Sequence, residues 1–155
     1  MTAIEPLLTL LTHAERERDA ALAAASIAET EHRNAQRQVE QLQTYRRDYE
    51  QRWSSQFSRS GGIDIVQCYQ GFVTRLGHAI EVQQRVTLLA AQRLEGAQAA
   101  WQVQEMRVAS VRKLIERRSG ELRGVEARRE QKQLDEHAAR VLWGRAAGAG
   151  ALPAL

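Results

Sequence analysis

The side chains best suited to ligate a metal or attack a carbonyl in this sequence are His13, His32, His78, His137 and Cys68. A metal site needs two such groups about one helical turn apart, or paired cysteines at short spacing, so that their lone pairs converge on one ion. No two of these five stand that close. A glycine-rich phosphate loop and a nucleophile elbow are equally missing from the sequence. No catalytic residue, cofactor or metal is therefore assigned, the chain reads as a non-enzyme, and its chemistry must be recognition. Aromatic side chains suit that task, and six of the eight lie in one window: Tyr45, Tyr49, Trp53, Phe57, Tyr69 and Phe72.

The elements that must hold this window are helices. Seam residues recur at alternating spacings of three and four from Leu7, Leu11 and Ala14, through Ala35, Val39 and Leu42, to Tyr49 and Trp53. The rhythm resumes at Val66 and Tyr69 and passes through Leu76, Ile80, Trp101 and Val111 to Leu122 and Val125. A period of 3.5 residues is that of a left-handed coiled coil. Between the two runs lies Ser58-Arg59-Ser60-Gly61-Gly62, a turn signal. The expected fold is all-α, an antiparallel two-helix coiled-coil hairpin with helix 2 longer than helix 1. It forms one domain over 1–143, with helix 1 over about 5–57, the turn over 58–64 and helix 2 over about 65–142. Pro6 suits the first helical turn, because its missing N–H has no partner there anyway. Asp64 is expected to cap helix 2, and residues 144–155, rich in glycine, are expected to be disordered.

Folded about the diglycine, residues whose numbers add to about 122 face each other across the seam. Large then faces small: Ala14, Ala21, Ala28 and Ala35 recur on one strand while Leu94, Trp101 and Val108 supply bulk on the other. His32, Arg18 and Arg46 read as polar register markers, and Cys68 as a small packing residue. The start of helix 1 falls beside residues 115 to 118, which leaves about two dozen residues of helix 2 unpaired, an overhang of roughly 36 Å. Beyond Val125 the seam positions become Arg129, Lys132 and Glu136, as a helix without a neighbour requires.

The two flanks of the seam near the turn differ. One carries Gln38, Tyr45, Ile65, Phe72, Ala79 and Val86; the other carries Gln36, Gln43, Glu50, Gln70, Gly77 and Gln84. A two-helix layer has nothing of its own to cover the apolar flank, which reads as a protein-docking patch. The other end is basic, with half of the Lys and Arg residues from Arg107 onward. It is either a solvated helix or one made to sit in another protein's channel. The formal charge of +3 is dispersed among acids, so nucleic acid is not an expected partner. No apolar stretch is long enough for direct membrane insertion, and a lone cysteine without an apolar leader fits a cytoplasmic protein.

The residues of "RQVEQLQTYRRDY", of "YQGFVTRLGHAI" and of "RREQKQLDEHAARV" from Arg128 to Val141 carry a resemblance. The chain resembles the FliJ family, the small hairpin subunit of the flagellar type III export ATPase complex. The resemblance implies a stalk without enzymatic activity, similar to the central stalk of rotary ATP synthases. Its implied partners are the hexameric flagellar export ATPase, the cytoplasmic domain of the export-gate membrane protein, and export chaperones. The implied location is cytoplasmic, peripheral to the inner membrane at the flagellar base. Carried over by position, the export-gate patch falls on Gln38, Leu42, Tyr45, Tyr49, Phe72, Leu76 and Ala79. The ATPase-binding end falls on Leu7, Leu11, Ala14, Arg118, Arg128, Arg129 and Gln131. Where the family often closes the gate patch with a histidine, this chain has Gln83. The stalk of a virulence injectisome and a self-associating coiled-coil scaffold are the alternative readings.

Overall fold

A computed structural model describes residues 4–57 and 62–149, with the side chains of Gln56 and Phe57 outside the description. Two helices account for it: α1 over Glu5–Arg52, extended by a π-helical turn over Trp53–Phe57, and α2 over Ile63–Ala149. The fold is an all-α two-helix hairpin whose second helix is the longer. Ile4 supplies the first carbonyl of α1, accepting from the Leu8 N–H at 2.9 Å, so Pro6 falls in the first turn, where no bond is lost.

Two boundaries differ from expectation. α2 begins at Ile63 rather than about 65, because the Gly62 carbonyl accepts the N–H groups of Ile65 and Val66 at 3.1 and 3.3 Å. Gly62 thus holds the capping position and Asp64 lies inside the first turn, where its charge still favours the positive helix end. At the other end α2 runs to Ala149, past the expected stop near 142. Residues 144–149, expected to be disordered, are helical: alanine and arginine favour helix enough to carry Gly144 and Gly148. The expected turn at 58–61 and tail at 150–155 lie outside the described residues.

By its internal contacts the chain divides into two compact units, Met1–His13 with Val108–Leu155, and Ala14–Arg107. In the second unit the register is fixed by pairs that cross the hairpin. Arg107 Nη1 lies 3.6 Å from Glu17 Oε2, Arg18 Nε 3.8 Å from Glu105 Oε1, and Gln83 Nε2 donates to Gln38 Oε1 at 2.8 Å. Ala25, Ala28, Ala35, Leu76, Ile80 and Ala90 are buried between the helices, and Ala14 is wholly enclosed. Alanine lacks the bulk to hold two backbones apart, so a close approach is what this seam permits. In the first unit, Val108 and Val111 of α2 are buried and Leu7 and Leu11 half-buried. From Glu121 to Ala149 every residue except Gly124 is exposed. At 1.5 Å per residue this is about 45 Å of helix with no neighbour among the described residues.

Candidate functional site

Within the unit Ala14–Arg107 the aromatic residues interleave from both helices. Trp53 stacks on Tyr69 with ring centres 4.1 Å apart, and Tyr69 stacks on Tyr49 at 5.6 Å. Tyr49 meets Phe72 at 4.3 Å, and Phe72 meets Tyr45 edge-on at 6.0 Å. The stacked and edge-to-face contacts match the ring quadrupoles, so each ring is oriented by the next. The order Trp53, Tyr69, Tyr49, Phe72, Tyr45 leads outward from the seam. Tyr49 and Phe72 are half-buried, whereas Tyr45 is 53 % exposed. One large ring is therefore presented to solvent on a rigid backing.

The other residues expected in this patch fall on different layers. Leu42 is half-buried, and Leu76, 8 % exposed, belongs to the seam. Gln38 and Ala79 are exposed on the flank. Gln83 ties Gln38 down and also reaches the Ala35 carbonyl at 3.4 Å. The flank opposite, with Gln36, Glu50, Gln70 and Gln84, is polar, so the asymmetry seen in the sequence is realised. Cys68 is exposed instead of packed: it sits on the rim of a shallow cleft with Tyr49, Trp53, Asp64, Ile65 and Tyr69.

The residues expected at the ATPase-binding end separate in the same way. Leu7 and Leu11 are half-buried, and Ala14, with no exposed surface, can act only by spacing the helices. Arg118, Arg128, Arg129 and Gln131 are exposed on α2. Arg118 Nη1 lies 3.6 Å from Glu121 Oε2, and Gln131 Nε2 donates to Asp135 Oδ1 at 3.1 Å. Both contacts run along one helix and leave its outer faces open to a partner.

Two further apolar features stand out, of which only Val86 was placed by the reading of seam and flank. On α2, Val82, Val86, Leu89 and Val103 form a second apolar row beside the seam, each 42 % exposed or more. They too are spaced by threes, fours and multiples of seven, a signal present in the sequence but masked by the stronger seam. Near the end of α2, Leu142 and Trp143 are exposed on the helix that has no neighbour. Among the described residues no group of three or more His, Cys, Asp or Glu could hold a metal ion, and no helix is long and apolar enough to cross a membrane.

The family model for the flagellar FliJ protein matches residues 3–147. No curated protein and no solved structure matches the chain. The family is one of non-catalytic components associated with the flagellar export machinery, and its model spans both helices, the aromatic flank and all but the last two residues of the exposed end of α2. A match over almost the entire length of this two-helix hairpin places the chain in the FliJ family of flagellar export proteins.

Proposed function

We propose that the chain is a non-enzymatic stalk that links the hexameric export ATPase to the export gate and assists chaperone-bound export. The observation that carries this reading is Tyr45: a large ring, more than half exposed, held by Phe72 on a flank with no covering layer. Rigid aromatic rings lose little rotamer freedom on binding and dominate interface energies. The gate's cytoplasmic domain docks on Gln38, Tyr45, Phe72 and Ala79, while Leu42, Tyr49 and Leu76 hold that surface in shape. Gln83, standing where the family often has histidine, tunes gate affinity by fixing Gln38.

The exposed helix from Glu121 to Ala149 enters the ATPase ring, with Arg128, Arg129 and Gln131 steering it and Leu7, Leu11 and Arg118 at its base. Mixed charges on a helix without a neighbour suit orientation in a channel more than tight packing. Export chaperones bind in turn at the aromatic flank, and the protein works in the cytoplasm at the flagellar base. The test is a pull-down against the cognate ATPase and against the gate's cytoplasmic domain. Tyr45→Ala with Phe72→Ala is expected to weaken gate binding about 30-fold or more, the loss typical of an aromatic hot spot, with helicity intact. Reversal of Arg128 and Arg129 is expected to weaken ATPase binding alone. Undiminished gate binding by the double alanine variant would overturn the patch assignment.

A further inference from the structure

The second apolar row on α2 has a charged frame. Arg75 and Arg93 stand in the same rows as Val82, Val86 and Leu89, and Glu31 and Asp48 stand in the corresponding rows of α1. All four charges are exposed, and none of them makes an ion pair among the described residues. The register set by Glu17 with Arg107, Gln38 with Gln83 and Trp53 with Tyr69 puts Glu31 level with Arg93 and Asp48 level with Arg75. Seen from this flank, Glu31 and Asp48 stand on α1 at the levels of Arg93 and Arg75 on α2, Val82, Val86 and Leu89 lie along α2 between those two arginines, and Arg52, nearer the turn, is a base on the acidic side.

A second copy of this chain is the occupant that such a surface fits. With a two-fold axis parallel to the helices, α1 of one copy lies against α2 of the other. Every neighbouring helix pair is then antiparallel and every level is preserved, so Asp48 meets Arg75 and Glu31 meets Arg93 of the second copy, twice each. An axis perpendicular to the helices would instead set α1 on α1, acid upon acid. Shape agrees with charge. Ile27, 62 % exposed, comes level with Gly96 of the second copy, where an added Cβ would meet nothing within 4 Å. Val82, Val86 and Leu89 are covered by the aliphatic stems of Gln38 and Gln41.

We infer that the flank bearing Tyr45, Val86 and Leu89 is a homodimer surface, on which two hairpins join in parallel as an up-down-up-down four-helix bundle. The same flank carries the proposed gate patch, so dimer and gate complex exclude each other; that consequence alone rests on the docking reading.

Sedimentation equilibrium of the full chain over a range of concentrations tests the dimer without reference to any other protein. Mass is expected to rise from one chain to two. Asp48→Arg and Arg75→Asp are both exposed changes, and each alone is expected to weaken dimerisation at least about tenfold, because each places two like-charge pairs in the interface. A mixture of the two variants restores both ion pairs and is expected to recover the dimer, whereas pairing within one chain would gain nothing from mixing. A mass of one chain at every concentration would overturn the inference. So would single variants that dimerise like the parent, or a mixture no better than its components.

Discussion

Replacing Gly120 and Gly124 by alanine tests what holds the far end of α2. From Glu121 to Ala149 the helix gains nothing from packing, since Gly124 is its one residue that is not exposed. Intrinsic propensity then decides its stability, and glycine in a helix interior costs about 1 kcal/mol relative to alanine. At both positions the added methyl meets no atom within 4 Å, so no clash offsets the gain. The two changes together are worth about 2 kcal/mol, which lowers the constant for local opening about 30-fold. Native-state hydrogen exchange reads this directly. Protection is expected to rise about 30-fold for amides flanking the two sites and to stay unchanged at Ile80 and Ala90, within the seam. Unchanged protection around Gly124 would refute the reasoning, because some unseen contact would then be setting the stability of that stretch.

Two further outcomes follow from the seam. Gln104 Oε1 is buried without a hydrogen-bond partner, as is the Trp101 indole Nε1. A buried unsatisfied group costs about 1–3 kcal/mol, so Gln104→Met, which removes the acceptor at similar volume, is expected to raise the urea midpoint by the equivalent of about 1 kcal/mol. A lowered midpoint would mean that this oxygen is bonded in solution. Ala28→Leu places an isobutyl group at a buried alanine of the seam, and is expected to cost about 1–3 kcal/mol in the same measurement.

The seam was legible as far as Ile115, and the reason is periodicity. Every expected seam position from Leu7 to Trp53 and from Val66 to Ile115 is buried or half-buried, and Arg118, Leu122 and Val125 are exposed. The end of pairing was therefore readable from helix lengths alone, slightly earlier than the change of composition suggested. Tyr45 and Phe72 were legible for the same reason, as flank positions of a known register. Local chemistry was less so. Asp64 is a good capping residue, but the Gly62 carbonyl reaches the first turn of α2. Cys68 lies in the second apolar row, not the seam, and without a covering layer it is exposed. The row itself could not be given a meaning from sequence, because apolar spacing says that a face wants cover and says nothing of what covers it.

The composition of the core bears on what that cover is worth. Among the described residues, five of the nine in the buried core are alanines, each of which removes little apolar area from water. Val82, Val86 and Leu89 meanwhile keep roughly half of their surface in solvent. Full burial of such a side chain is worth about 1.5–3 kcal/mol, so completing it for these three adds about 3 kcal/mol in all. That is a large share of the stability such an alanine seam can supply. Any protein bound along this flank is thus expected to stabilise the hairpin as it binds, by linkage. Thermal unfolding of the Ala14–Arg107 region, followed by hydrogen exchange, should move to higher temperature with the flank occupied. A partner that binds there while leaving the midpoint of those amides unchanged would show that the apolar row is not what it covers.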